Sequence, residues 1–162
     1  MSTRPYDHTD REALWELKRG FERELGALGT DGKADRYERK LTDAYRDRYL
    51  AWVERCLGDD PSCIQLAVVA DEPVGYVFVL PETLSMVWDA GVINELYLAP
   101  PYRGEELADE LLVAALEVVR AQSLPLDRIV LDVDPANTRA RAVYDRHGFE
   151  RWGELLARPL DP

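Results

Sequence analysis

The sequence predicts an α/β (α+β) domain: a mixed, mostly antiparallel central sheet with helices on both faces and one parallel strand–helix–strand crossover. Three observations predict it. Two β-rich runs, 64–70 and 74–80, flank the turn Asp71-Glu72-Pro73 and read as a hairpin. These runs and a third at 92–98 are apolar on both faces, as central strands covered by helices are. An amphipathic helix follows the third run, and a fourth apolar run at 129–133 follows that helix, the spacing of a right-handed parallel crossover.

The elements follow in order. Residues 4–6 suit a short edge strand. Thr9-Asp10-Arg11-Glu12 reads as a capping box, with Thr9 as N-cap and Glu12 reaching back. Leu14, Leu17, Phe21 and Leu25 then recur at helical spacing, and Gly26 and Gly29 end that helix. Residues 26–35 read as a flexible loop. A second helix spans 34–57, with Tyr37, Leu41, Ala44, Tyr45, Tyr49, Trp52, Val53 and Cys56 inward, and Gly58-Asp59-Asp60-Pro61-Ser62 stops it. A loop over 81–91 leads to the third strand, which Ala99-Pro100-Pro101 ends. The crossover helix places Leu107, Leu111, Ala115 and Val118 on one face, with Ala108, Leu112, Leu116 and Val119 beside them, and closes near Ala121. A last helix over 137–146 precedes His147-Gly148-Phe149. Residues 150–162 then supply one long strand or two short ones. No repeat or linker divides residues 1–162, which are expected to form one domain.

Composition narrows the function. The 162 residues carry a net charge of −11, with 46% hydrophobic and 31% charged residues. Such a chain folds, and its acidic surface repels nucleic acid and anionic membranes. No window approaches the ~20 apolar residues of a membrane span, and the first residues lack an apolar signal region, so a cytoplasmic protein is expected. Cys56 and Cys63 have no CxxC spacing and His8 and His147 are solitary, so neither a metal site nor a disulfide framework is expected.

The chemistry concentrates in Pro101-Tyr102-Arg103-Gly104-Glu105-Glu106-Leu107-Ala108. A helix start leaves about four backbone N–H groups unpaired and carries roughly half a positive charge. Gly104 permits a tight turn, and Arg103 adds a cation. Together they describe an anion site for a pyrophosphate.

With its surroundings this stretch resembles the GNAT superfamily of acetyl-CoA-dependent N-acetyltransferases. That signature is a strand, a Pro and Arg-Gly turn, then R/Q-x-x-G-x-G/A opening a helix. Here Arg103 stands first and Ala108 last. A second block, N-x-x-A-x-x-x-Y-x-x-x-G-F, is met by Asn137, Ala140, Tyr144, Gly148 and Phe149. The resemblance spans almost the whole chain and implies an acyltransferase with acetyl-CoA as co-substrate.

It also implies roles. The backbone of Leu96, Tyr97 and Leu98 would bind the pantetheine arm and polarise the thioester carbonyl. Arg103, Gly104, Glu105, Glu106, Leu107 and Ala108 would hold the pyrophosphate. Asn137 would contact the cofactor arm, and Tyr144 would be general acid toward the departing thiolate. Glu95 is the candidate general base, directly or through water. Each has a plainer reading: Asn137 is a good helix N-cap, Tyr144 a packed helix residue, Glu95 a salt-bridging carboxylate.

One position departs from the pattern. The family places Gly where this chain has Glu106. A carboxylate about 6 Å from a phosphate charge is repelled by roughly 1 to 3 kcal/mol for effective dielectrics of ~80 to ~20, which weakens binding without blocking it. Glu105 varies more freely in the pattern and is expected to point to water. The acceptor is expected to be a primary amine of a small molecule or peptide. The loops 26–35 and 81–91 would border it, with Asp31, Asp35 and Glu38 suited to a cation, while Asp132 and Asp134 read as solvated. A homodimer in which a partner supplies the final strand is compatible with the C-terminal pattern. The alternative is a degenerate fold of this family that binds a ligand without catalysis.

Overall fold

The computed structural model describes residues 2–29, 32–104 and 106–161. Five strands form one sheet in sequence order: β1 (Ser2–Pro5), β2 (Ile64–Val69), β3 (Glu72–Val79), β4 (Gly91–Leu98) and β5 (Ile129–Leu131). Every neighbouring pair is antiparallel except β4 and β5, which are parallel and joined by α4 (Leu107–Arg120). The mixed, mostly antiparallel sheet with one parallel crossover is therefore as expected.

Alternation along β3 divides the core. Tyr76 and Phe78 face α1 (Arg11–Ala27) and α3 (Asp43–Asp59), where Leu14, Trp15, Tyr49, Leu50 and Val53 are buried. Val77 and Val79 face α4, whose Leu107, Leu111, Leu112 and Ala115 are fully buried. The last helix, α5 (Thr138–Arg146), joins that side through Ala140, Val143 and Tyr144. Cys56 and Cys63 are free and buried, and burial pushes their thiols up to about 11 and about 12. No helix among the described residues is long and apolar enough to cross a membrane.

Three local expectations are corrected. The first capping box lies two residues earlier than expected. Asp7 accepts the Thr9 N–H at 2.9 Å, and Asp10 accepts the Asp7 N–H at 2.9 Å, around a 3-10 turn at His8–Asp10. Arg4 grips Asp10 with two bonds of 2.7 and 2.9 Å, which fixes the box there, while Glu12 instead pairs with Arg46 of α3. Gly26 remains inside α1 against Tyr37, and the long second helix is two helices, α2 (Lys33–Lys40) and α3. Thr42 makes the break: its hydroxyl accepts the Tyr45 N–H at 3.1 Å, a cap stronger than the apolar period that runs through it.

The third correction is C-terminal: residues 150–161 form no strand. Trp152, Leu155, Leu156 and Leu160 are exposed, and Arg128 stacks on the Trp152 ring at 4.1 Å. The neighbouring edge, β5, has only three residues, too short to template a long partner.

The hairpin turns at Ala70 and Asp71, both with positive φ (50° and 66°), the twist that suits a two-residue connection. Gly75 lets β3 and β4 close up: a Cβ there would lie 2.7 Å from the Tyr97 carbonyl oxygen. Gly75→Ala is therefore expected to cost about 1–3 kcal/mol, read as a lower urea midpoint at unchanged slope. An unchanged midpoint would show that β4 can yield.

Candidate active site

The site is built where β4 leaves β5. Pairing ends at Ile93↔Leu131, yet β4 continues to Leu98 with β3 on one side only. The Val92 carbonyl accepts from Leu80 of the β3 side, and the Ala99 N–H donates to Val74, also on the β3 side. An unbroken strand would turn two residues seven apart in opposite directions. The phase changes at a bulge: Phe78 pairs Glu95 and Val79 pairs Ile93, leaving Asn94 extra. Beyond it, Glu95 and Tyr97 address β3, so the N–H groups of Leu96 and Leu98 point into the fork. Asn94 sits exposed where the fork opens.

The turn after β4 reaches the fork's other border. Gly104 has φ +85°, and nothing lies within 4 Å of where its Cβ would be. Among the described residues the first i→i−4 bond of α4 runs from the Glu110 N–H to the Glu106 carbonyl at 2.9 Å, so the amides of Leu107 and Ala108 have no helical acceptor among them. Glu106 has φ −73° and ψ −6°, ordinary helical geometry that needs no glycine. Its exposed side chain lines a shallow groove with Thr3, Glu110 and Val113. Asp109, in the same turn, is countered: His147 Nε2 lies 2.7 Å and Arg146 Nη2 3.0 Å from its Oδ1, and the His147 bond foremost holds its carboxyl below the usual value. Glu105 and Asp31 lie outside the described residues.

Glu95 is 5% exposed and its oxygens are engaged. Lys18 Nζ donates to Oε2 at 2.5 Å, and the hydroxyls of Tyr49 and Tyr76 donate to Oε1 at 2.7 and 3.0 Å. Lys18 also pairs with Glu22 at 2.6 Å, and Glu22 with Lys40 at 2.6 Å, so alternating charges run from β4 to the edge of α2. The Lys18 ammonium lies 4.7 Å from the Tyr49 ring centre and 5.1 Å from that of Phe21. Burial pushes Lys18 down, but Glu95 and Glu22 outweigh it and the net shift is upward. Burial pushes Glu22 up, but Lys18 and Lys40 hold it below its ordinary value.

The far wall is α5. Asn137 caps it, its Oδ1 accepting the Ala140 N–H at 3.1 Å, which leaves its amide NH2 to other partners. Tyr144 is buried against Phe149 with ring centres 5.7 Å apart, and its hydroxyl has no hydrogen-bond partner among the described residues. Burial pushes that hydroxyl up to about 12. A cleft of about 270 Å³ runs between Leu28, Arg103, Asn137 and Thr138.

The Acetyltransferase (GNAT) family model matches residues 16–149, which takes in every element from α1 to Phe149. The chain belongs to the GNAT family. That family is one of acetyltransferases, the class that the sequence resemblance implied. A mycothiol acetyltransferase of Salinispora tropica is 29% identical over 90% of this chain and 54% of its own length. Another, of Thermobispora bispora, is 35% identical over 57% of this chain and 32% of its own. The chain thus spans about half or less of the curated relatives it matches. Among solved structures, a ribosomal-protein-alanine N-acetyltransferase of Brucella melitensis superposes with a TM-score of 0.71 at 19% identity, covering 94% of this chain and 86% of that one. A PaiA N-acetyltransferase of Thermoplasma acidophilum, in complex with coenzyme A, gives 0.70 at 17%, covering 92% and 89%. These likenesses support the GNAT fold.

Of the residues expected at the site, Arg103 and Asn137 line one cleft and the Leu98 carbonyl is bonded to Arg103, whereas Glu106 lines a separate groove and the Leu107 side chain is buried in the core. Three features reach beyond the sequence reading: Asn94 at the bulge, the Lys18–Glu95 pair, and Glu24 on Arg103. Two adjacent polar residues, Asn94-Glu95, inside an apolar strand are the one signal that marked the bulge. The loop 81–91 joins the far end of β3 to the start of β4, and its Glu82 and Asp89 bond to Ser123 and Leu126. That fixes it at the opposite end of β4 from the turn, away from the place expected for it. Glu38 is held by Arg23 at 3.0 Å, and Asp134 by Lys33 at 3.4 Å.

Lys18→Met leaves Glu95 buried without its cation and is expected to cost about 3–5 kcal/mol in urea unfolding. The double variant Lys18→Met/Glu95→Gln should recover part of that loss. Equal loss in both would show that Lys18 acts through packing alone. The lowered Glu22 supplies stability that is present above its ordinary value of 4.5 and is lost as pH falls below it.

Proposed function

We propose that this chain moves the acetyl group of acetyl-CoA to a primary amine of a small molecule or peptide, by direct attack of the amine on the thioester. Residues 1–162 act in this reading as one GNAT domain. The observation that carries it is the fork, where Leu96 and Leu98 present strand amides beside the open start of α4. An extended arm laid in the fork completes the hydrogen bonds that β5 leaves unmade. One of these amides donates to the thioester carbonyl, whose oxygen gains charge as the amine attacks. Tyr97 supports them by bonding back to β3.

The turn from Arg103 to Ala108, Glu105 included, cradles the pyrophosphate, and the Asn137 NH2 contacts the arm. Glu106 sits there without backbone strain and swings its carboxylate outward, so its effect is a weaker cofactor Kd. Tyr144 gives its proton to the departing thiolate. Glu95 receives the amine's proton through one of the hydroxyls on its carboxylate or a water. Asn94 borders the amine at the fork. The curated relatives' name favours a small-molecule acceptor over a peptide. Buried free thiols suit a reducing compartment, and we place the reaction in the cytoplasm.

Thiol release from acetyl-CoA, measured against a panel of amines, tests this reading. Silence with every amine, together with no acetyl-CoA binding, would sink it in favour of a GNAT fold that does not catalyse. Tyr144→Phe is expected to lower kcat by ~10²–10⁴-fold with acetyl-CoA affinity nearly unchanged. Because burial pushes that hydroxyl up to about 12, the wild-type rate should not fall on the alkaline side before pH 10. Glu95→Gln should lower kcat with acetyl-CoA affinity nearly unchanged; an unchanged kcat would make Glu95 a purely structural part of its network.

We also propose a homodimer, with the exposed apolar side chains of the 150–161 segment packing against a second copy. The exposed Trp152, Leu155 and Leu156 beside a strand edge support it. Light scattering that gives a monomer mass throughout the micromolar range would end this assignment.

A further inference from the structure

Three residues from distant parts of the chain meet at the mouth of the cleft. Glu24 lies near the end of α1, Arg103 in the turn before α4, and Arg139 in the first turn of α5. Glu24 Oε1 takes Nη2 of Arg139 at 2.6 Å, and Oε2 takes Nη2 of Arg103. Arg103 is positioned further by its Nε, which donates to the Leu98 carbonyl at 2.7 Å, and by the Tyr97 ring, 5.5 Å away. All three side chains line the cleft of about 270 Å³.

An arginine on each oxygen is the arrangement with which proteins hold a two-oxygen anion. In this chain the anion is internal. The two arginines stand on opposite borders of the fork, and neither border contributes the carboxylate, which arrives from α1. The trio keeps one net positive charge. The Arg139 side chain is half-exposed, and its pair with Glu24 adds little stability because long side chains lose rotamer freedom in making it. Their placement therefore bears on what enters the cleft more than on the fold.

We propose that Arg103 and Arg139 form an anion subsite of the cofactor groove and that Glu24 is its built-in occupant, displaced by a phosphate of acetyl-CoA. This rests on the acetyl-CoA reading above. Both arginines exchange a carboxylate for a phosphate, and Glu24 turns to solvent. No bond is made or broken. Glu24 thus competes with the cofactor from within the chain, independently of Glu106.

The test is calorimetric titration of CoA, dephospho-CoA and pantetheine into the wild type, Glu24→Gln and Arg139→Gln. Glu24→Gln preserves shape and removes one unit charge about 5 Å from the phosphate. It should tighten CoA binding about four- to twentyfold, for effective dielectrics of ~80 to ~40. Arg139→Gln should weaken CoA by a similar factor, and pantetheine, which has no phosphate, should be unaffected by either change. An equal gain for CoA and dephospho-CoA places the pyrophosphate in the subsite; a gain confined to CoA places the 3′-phosphate there. Unchanged CoA affinity in Glu24→Gln, with a wild type that binds, overturns the subsite and leaves the transferase reading intact. No CoA binding by any variant overturns both.

Discussion

The parting of β4 from β5 is the constraint on which the rest of this molecule depends. A buried strand amide normally finds a carbonyl, and leaving it without one costs free energy. Here the parallel pair closes after three residues, and β4 runs on with one side unserved. The cost is tolerable because the unserved side opens to a cleft and not into packed core. The antiparallel half of the sheet, with α1 and α3 behind it and α4 in front, holds β4 rigid while β5 diverges. A stable scaffold thus presents backbone donors that have nothing of their own to bind.

Charge acts on this geometry in opposing directions. The chain is acidic overall, and the first turn of α4 carries Glu106, Asp109 and Glu110. Read alone, that turn is a poor host for a phosphate. The fold answers part of the difficulty: His147 and Arg146 cover Asp109, Glu106 faces outward, and two arginines line the neighbouring border. Deeper in, Lys18 balances Glu22 and Glu95, where a lone buried carboxylate would be costly. Acidic surface and cationic cleft coexist because two arginines, Arg103 and Arg139, meet there against the single carboxylate of Glu24.

The sequence made the sheet, the crossover helix and the order of elements readable because each rests on local pattern. Leu107, Leu111 and Ala115 announce α4 by spacing alone, and Asn137 with Tyr144 marks α5. Thr42 was hidden by an apolar period that continues through it, although Thr42-Asp43 is itself a helix-start signal. Residues 150–161 show the reverse failure: a strand-like composition does not make a strand when the neighbouring edge is only three residues long. Glu95 was readable as a residue and not as an environment. Its partners Lys18, Tyr49 and Tyr76 come from three elements, and no local pattern records a pairing across 77 positions. The same holds for Glu24 with Arg103 and Arg139.

The bulge at Asn94 reaches beyond its own position. It is a parity element: everything after it on β4 is turned over relative to everything before. A strand that took this residue into its regular ladder would carry Glu95 and its charge onto the α4 face, among aliphatic side chains, and send Leu96 toward Lys18. Flattening a single bulge would thus transpose the molecule's polar and oily interiors along half a strand. That makes the backbone kink at a small polar side chain, unburied and without an ion partner, the place that decides which interior each later residue of the strand enters.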